Sequence, residues 1–243
     1  MTAARKPVDQ LVLRCALTRP GQALMKLVPG ARPRVRALVI EQRRMTRGEG
    51  TWFDSHDHLG DHEVTDRVWA RLPGLKQLVV SAGWDIFERI EHHGIEEITI
   101  EDGAPFCTVR GHARRWHVPA LRSIAWHYQV DCTGTGASAT TADFEPIWTA
   151  RAPALREVDL SRANLFVRPN ETPLLEVEGF QRLLPQLATL RLPHQAIGRT
   201  PDRLVAAVRK HKKRLAHLGA FTLTKLAGVA EAEVREMVPG FSW

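Results

Sequence analysis

The sequence predicts an α/β protein built as a repeat array in a single domain, residues 1–243. The first observation is a strand-like phrase, L-x-x-V-x-L, at Leu155, Val158 and Leu160, which recurs along the chain. The second is that four of its copies follow the same kind of turn, at 72–75, 118–121, 152–155 and 184–187. The third is that amphipathic helical segments lie between copies. A strand pattern repeated with its own lead-in is typical of a repeat array.

Each copy of the phrase has apolar residues on one side and mainly polar residues on the other. This alternation is expected of a strand that is buried on one face. The copies are Val8/Leu11/Leu13, Val35/Leu38/Ile40, Leu75/Leu78/Val80, Ile95/Ile98/Ile100, Leu121/Ile124/Trp126, Leu155/Val158/Leu160 and Leu187/Leu190/Leu192, with a poorer one at Leu215/Leu218/Ala220.

The segments between the copies are predicted to be helices and surface loops. Predicted helices cover 63–72, 84–90, 145–152, 177–184, 204–218 and, as a cap, 222–238. The longest connection, from Gln42 to about Arg71, is rich in Gly, Asp and His, and further insertions lie at 132–143 and 165–173. We expect an N-terminal cap and first repeat at about 1–33, central repeats at about 34–200, and a C-terminal cap at about 201–243.

Composition favours a cytoplasmic protein. The N-terminus lacks the apolar stretch of a secretory signal, and no run approaches the roughly 18 apolar residues that predict a membrane span. The cysteines, Cys15, Cys107 and Cys132, are odd in number and lack C-x-x-C spacing, which favours free thiols in a reducing compartment. The net charge of +7 favours acidic partners in general but does not define a fold.

Several in-register phrases resemble bacterial cytoplasmic leucine-rich-repeat proteins. They are RVRALVIEQ at 34–42, LPGLKQLVV at 72–80, TADFEPIWTARAPALREVDLSRANL at 141–165 and LPQLATLRL at 184–192. The resemblance covers about residues 30–200. It implies a curved right-handed solenoid with parallel strands on the concave face, helices outside, and protein binding as the usual role.

The chain departs from this family at one set of positions. Family repeats often place Asn or Cys three residues after the last apolar strand position, where the side chain bonds to neighbouring backbone. Here those positions hold Ala16, Arg43, Gly83, Gly103, Gln129, Ala163 and Gln195, so this inner ladder is missing or replaced. The alternative fold is an ordinary α/β domain, in which a doubly wound sheet would reverse its strand order midway.

The outward strand positions predict a non-enzymatic binding surface for a protein partner. Their middle is acidic, with Glu97, Glu101, Glu157 and Asp159, so the expected partner segment is basic or polar. The predicted contact residues are Gln77, Glu97, Thr99, Glu101, Ser123, His127, Glu157, Asp159, Ser161 and Arg191.

Basic residues outside this surface suggest a second function, which is binding of nucleic acid or another anion. They lie at Arg43 and Arg44, in 110–115, and in the run 209–214 on a predicted outer helix. A solvated helix face is the simpler interpretation of that run. A phosphate backbone on the acidic strand surface would meet like charge, so nucleic acid is the less favoured partner.

The His-rich loop at 54–63 suggests a third function, a metal-dependent hydrolase. His56, His58, Asp61 and His62 form H-x-H-x-x-D-H, one residue longer than the H-x-H-x-D-H of metallo-β-lactamase-like hydrolases. Because downstream ligands cannot be identified, we expect a hydrated polar loop. Gly134, Gly136 and Ala139 form a G-x-G-x-x-A that is better explained as an insertion than as a dinucleotide site. We therefore expect no catalytic residue and no cofactor.

Overall fold

Nine parallel strands form one sheet in chain order in the computed structural model. The structure describes residues 9–15, 26, 28, 30–42, 62–81, 90–101, 116–127, 141–163 and 172–243. The strands are β1 (Gln10–Cys15), β2 (Ala37–Gln42), β3 (Gln77–Ser81), β4 (Glu97–Glu101), β5 (Ser123–His127), β6 (Glu157–Asp159), β7 (Thr189–Leu192), β8 (Ala220–Leu223) and β9 (Phe241–Ser242). The sheet is open, with β1 at one end and β9 at the other.

Helical elements connect the strands in the described part of the chain. The α-helices are α1 (His62–Arg71), α2 (Glu145–Thr149), α3 (Glu178–Leu183), α4 (Pro201–Leu215) and α5 (Glu231–Met237). Short 3-10 turns lie at Thr141–Phe144, Leu174–Glu176, Leu184–Gln186 and His194–Ala196. The α/β class is therefore confirmed. A doubly wound sheet would reverse its order at a switch point, and the described strands have none, so that alternative is wrong.

A repeated two-to-one hydrogen-bond pattern explains why the first two apolar positions of each copy are a step of three apart, with two residues between them. The N–H groups of Lys76 and Gln77 both donate to the carbonyl of Arg36, over 2.8 and 3.0 Å. Strict alternation would give a step of two, so one residue per repeat is turned out at the amino-terminal end of its strand. We call these positions the edge row; they are Asp9, Arg36, Lys76, Glu96, Arg122, Arg156, Ala188 and Gly219.

The predicted lead-in turns are real turns. In each, the first apolar strand residue donates its N–H to the carbonyl three residues earlier, as Leu75 does to Leu72 over 3.0 Å. The equivalent bonds start from Leu121, Leu155 and Leu187, at 2.9 to 3.1 Å. Proline suits these turns because its fixed φ is favoured in the second turn position.

The apolar side of the sheet packs against the helices in one continuous core. Val158 and Leu160 are fully buried, as the strand register predicts. Helix α1 contributes Val68 and Trp69, and α4 contributes Leu204, Val208 and Leu215 on one stripe. The predicted helices at 63–72 and 204–218 are confirmed with their full length but begin one and three residues earlier, as α1 and α4. Those at 145–152 and 177–184 are confirmed over shorter ranges, as α2 and α3. Most of the predicted helix 84–90 and most of the two insertions lie outside the described residues.

The structure corrects the prediction for the C-terminal region. The eighth copy is Leu218/Phe221/Leu223, because Leu215 occupies the turn start and accepts a hydrogen bond from Leu218 over 3.0 Å. Only the last part of the helix expected over 222–238 is helical, and that part is α5. Strand β8 occupies the first part, and Gly228, with a φ of 83°, lies in the turn before α5. Phe241 of β9 then pairs with Phe221, so a strand lies beyond this helix.

Candidate binding surface

The side of the sheet opposite the core carries side chains in straight rows across the strands. We call it the polar face. The first row is Gln10, Ala37, Gln77, Glu97, Ser123, Glu157, Thr189 and Ala220. The second is Val12, Val39, Val79, Thr99, Ala125, Asp159, Arg191, Thr222 and Ser242. A third, shorter row includes Glu101 and His127 on neighbouring strands.

Nine of the ten predicted contact residues lie in these rows, because parallel pairing in chain order keeps equivalent positions of successive repeats side by side. Ser161 is the exception. Strand β6 ends at Asp159, and Ser161 lies in the following turn. There its backbone N–H and its hydroxyl both donate to Oδ1 of Asp159, over 2.9 and 2.6 Å. Ser161 is therefore a turn residue that orients Asp159.

Arg191 changes the electrostatics expected for the polar face. Its guanidinium donates to Oε1 of Glu157 across one strand boundary and lies 3.5 Å from Oδ2 of Asp159. Two of the four carboxylates in the predicted acidic patch therefore share a cation. Glu97 accepts a hydrogen bond from the neutral amide of Gln77 over 3.2 Å, and among the described residues no cation lies within ion-pair distance of it. Glu97 on β4 is thus an exposed carboxylate of this face without an ion pair to a described residue, whereas Glu157 and Asp159 share Arg191.

The centre of the polar face is formed by small side chains. Ser123, Thr99 and Ala125 are half-buried by their row neighbours, and Glu97 is exposed. Val12 on β1 is an exposed apolar side chain at one end of the second row. In the third row, Nδ1 of His127 is buried and has no hydrogen-bond partner. Because these central side chains are small, an extended peptide segment can lie close to the sheet and form hydrogen bonds with the polar side chains of the rows.

The basic run 209–214 on α4 is partly neutralised. Arg209 lies 3.5 Å from Glu233 of α5, and Lys210 donates to Glu176 over 2.8 Å. His211 faces the interior, where burial lowers the pKa of its imidazole. Lys212, Lys213 and Arg214 are exposed, and among the residues described in the structure they form no ion pair. Three of the six residues of the run are therefore exposed cations without an ion pair to a described residue.

The other predicted chemistries lie mostly outside the described residues. This applies to His56, His58 and Asp61 of the His-rich loop, to Gly134, Gly136 and Ala139, and to the basic positions Arg43, Arg44 and 110–115. His62 is the first residue of α1. Within the described ranges, no three or more His, Cys, Asp or Glu residues are grouped so that they could hold a metal ion. The described helices are too short or too polar to cross a membrane.

Sequence reasoning missed two features. The edge row is one, although four of its eight residues are cations, and the two residues between the first and second apolar positions were its signal. The other is His92, which is buried in the turn before β4. Its Nε2 bonds to the carbonyl of Leu72 over 2.9 Å, and its Nδ1 accepts the N–H groups of Gly94 and Ile95 over 3.0 and 3.1 Å. Burial lowers the pKa of this imidazole.

Comparison with known proteins identifies no family. No family model matches the chain, and no curated protein matches it significantly. A crystal structure of a Bacteroides fragilis protein, a structural-genomics target, is similar over 94% of this chain and 72% of that one, with 16% identity and a TM-score of 0.47. Likeness at this level says nothing about function.

Proposed function

We propose that this chain is a leucine-rich-repeat-like, right-handed solenoid that acts as a non-enzymatic protein-binding module. The partner would be an extended segment lying across the strands on the polar face. The observation that carries this proposal is the alignment of nine described parallel strands in chain order, which sets equivalent outward side chains in continuous rows. From β4 to β7 these side chains are polar except Ala125. Arrays with extended surfaces of this kind are used for binding.

The chemistry of the polar face favours a partner that is polar, with a cationic group near β4. Glu97 is exposed and is paired only with an amide, so it can accept an ion pair without first losing one. Glu157 and Asp159 already contact Arg191, so a partner cation there would have to displace an internal one. Ser123 and Thr99 supply hydroxyl groups beside Glu97, which suit hydrogen bonds to a peptide backbone.

A displayed peptide library tests this proposal without a known partner. Peptides selected on the wild-type protein would be measured against two variants of equal charge change. The first is Thr99→Arg with Ala125→Arg, which fills the centre of the polar face. The matched control is Ala206→Arg with Ala232→Arg, at exposed positions of α4 and α5. We expect the face variant to lose at least about tenfold in affinity, and the control less than about twofold.

The same affinity measurement distinguishes binding on the polar face from binding through the basic run on α4. Equal affinity of the selected peptides for wild type and face variant would exclude the polar face as the binding surface. If Lys212→Glu with Lys213→Glu abolished binding instead, the outer helix would be the functional surface. The melting temperature of each variant is the control for folding, because exposed substitutions usually shift stability by only about 0.5 kcal/mol.

A further inference from the structure

The edge row brings four cations to one line at the amino-terminal end of the sheet. Arg36, Lys76, Arg122 and Arg156 occupy the same position in four repeats, and consecutive edge-row residues are linked by backbone hydrogen bonds of 2.7 to 2.9 Å. Arg36, Arg122 and Arg156 are exposed, and the Lys76 side chain is 44% exposed. Neighbouring strands lie about 4.8 Å apart, so the cations follow one another at a fixed short interval.

Two of these guanidinium groups are held in place by the turns of the repeats. Nη1 of Arg36 donates to the carbonyl of Gly74 over 3.2 Å. Nη1 of Arg156 donates to the carbonyls of Pro153 and Leu155 over 3.0 and 2.9 Å. A guanidinium has five N–H donors, so both groups keep several for a ligand while part of their conformational freedom is already lost. The guanidinium of Arg122, by contrast, has no hydrogen-bond or ion-pair partner among the described residues.

One residue of the row shows which ligand fits there. Glu96 lies between Lys76 and Arg122, and its Oε1 accepts a hydrogen bond from Nζ of Lys76 over 2.6 Å. This bond and the positive charges of Lys76 and Arg122 lower the pKa of the Glu96 carboxyl. The protein thus places its own carboxylate in one interval of the row. Among the described residues, no edge-row carboxylate lies in the next interval, between Arg122 and Arg156 on adjacent strands, and neither arginine forms an ion pair.

We propose that the edge row binds an acidic, extended protein segment, with one carboxylate between Arg122 and Arg156. The row position next to Arg36 is held by Asp9, so the free interval is the one between the two arginines. This surface is separate from the polar face, and it does not depend on the function proposed for that face. Bidentate carboxylate binding suits arginine because its planar fork matches the two oxygens. Single-stranded nucleic acid fits less well, since such sites combine cations with exposed aromatic rings. No Phe, Trp or Tyr is exposed in the described part of the chain.

The test uses a fluorescein-labelled peptide of alternating glutamate and serine, with a glutamine–serine peptide as the neutral probe. Fluorescence anisotropy would be measured on the full chain at about 20 and about 150 mM salt. The variant Arg122→Gln with Arg156→Gln should bind the acidic peptide at least about tenfold more weakly than wild type. The matched control, Lys212→Gln with Lys213→Gln, removes the same charge from α4 and should change affinity less than about twofold. If the double variant is misfolded, the single variant Arg122→Gln is measured in its place, because the guanidinium of Arg122 makes no bond within the described protein.

Any one of the following four outcomes would overturn the proposal. Equal losses in both variants would show that only the net charge attracts the peptide. Wild-type protein that fails to bind the acidic peptide at low salt, or binds the neutral peptide equally well, would exclude a carboxylate site. If oligothymidine bound more tightly than the acidic peptide, and if Arg122→Gln with Arg156→Gln lost that binding, the edge row would be a nucleic-acid site. Loss of acidic-peptide binding on Thr99→Arg with Ala125→Arg alone would place the peptide on the polar face instead.

Discussion

His92 shows how one side chain can take the place of a backbone interaction in a repeat. In four other lead-in turns, a carbonyl accepts the N–H of the first apolar strand residue. Before β4, Nδ1 of His92 accepts that bond from Ile95 and a second from Gly94. Since Nδ1 is the acceptor, Nε2 carries the proton and donates it to the carbonyl of Leu72 in the preceding turn. The neutral ring therefore links two repeats, and a second proton would abolish two of its bonds.

We predict that His92 makes stability depend on pH below its ordinary pKa. Burial lowers the pKa of the folded-state imidazole below the usual value near 6.5, so the unfolded state binds more protons in that window. The stabilisation is present above that usual value and is lost as pH falls toward the folded pKa. In urea titrations at about pH 7.5 and about pH 5.5, wild type should lose more unfolding free energy than His92→Asn.

The asparagine variant is the matched control because its side-chain oxygen can accept the same kind of local N–H bond without titrating. His194 and His211, whose pKa values are also lowered by burial, remain in both proteins, so their contribution cancels in the comparison. An equal pH dependence in the two proteins would show that His92 does not titrate in this range.

At the scale of the element, the lead-in turns look interchangeable in sequence but differ in their surroundings. The turns at 72–75, 118–121 and 152–155 share proline at the second position and leucine at the fourth. The first residue is apolar in each, and the third is Gly74, Ala120 or Ala154. A Cβ added to Gly74 would lie 2.0 Å from the carbonyl oxygen of Pro33, which is backbone and cannot move aside cheaply. Alanine is accommodated at the other two turns. The preceding repeat, not the turn itself, therefore decides which residue is tolerated.

We predict that Gly74→Ala destabilises the protein, although alanine occupies the equivalent position twice. Overpacking of this kind typically costs about 1–3 kcal/mol. The matched control, Ala154→Gly, should cost less than about 1 kcal/mol, since it only adds backbone freedom. Both are measured as unfolding free energies from urea titrations. If both substitutions changed the unfolding free energy equally and only slightly, the turn at Gly74 would be able to move away from Pro33, and the expected clash would be absent.

The strand register and the core could be predicted from the sequence because apolar spacing is a local signal that every repeat carries. Leu78, Val158 and Leu190 lie on the core side as expected. Features that depend on the neighbouring repeat could not be predicted in this way. The Arg191 contact with Glu157 joins residues 34 apart in sequence, and the outward turn of Arg122 results from a bond to Glu96. The ninth strand was missed because β9 has only two residues, and its copy of the phrase, Val238/Phe241/Trp243, directly follows a segment predicted as a helical cap.

At the scale of the whole molecule, every strand pairs only with the strands before and after it in the chain. Long-range contacts between strands are accordingly those of consecutive pairs, from β1–β2 to β8–β9. Stability in such an array is approximately a sum of terms for each unit and its immediate neighbours. The ends have one neighbour fewer. At the β9 end, Phe241 fills part of this deficit by packing on Phe221 and Trp243, with ring centroids 5.8 and 5.0 Å apart.

We predict that Phe241→Ala loosens the C-terminal end and leaves the middle of the sheet protected. Removing a buried aromatic side chain typically costs about 3–5 kcal/mol, and here the loss acts first on β8 and β9. Native-state hydrogen exchange should therefore accelerate at Phe221 and Leu223, whereas the amides of β4 and β5 should exchange at wild-type rates. Ile98→Ala is the internal comparison. It removes a buried side chain that has strands on both sides, and it should accelerate exchange in β3, β4 and β5 together. If Phe241→Ala instead accelerated exchange uniformly from β2 to β9, the sheet would unfold as one cooperative unit and the nearest-neighbour description would be wrong.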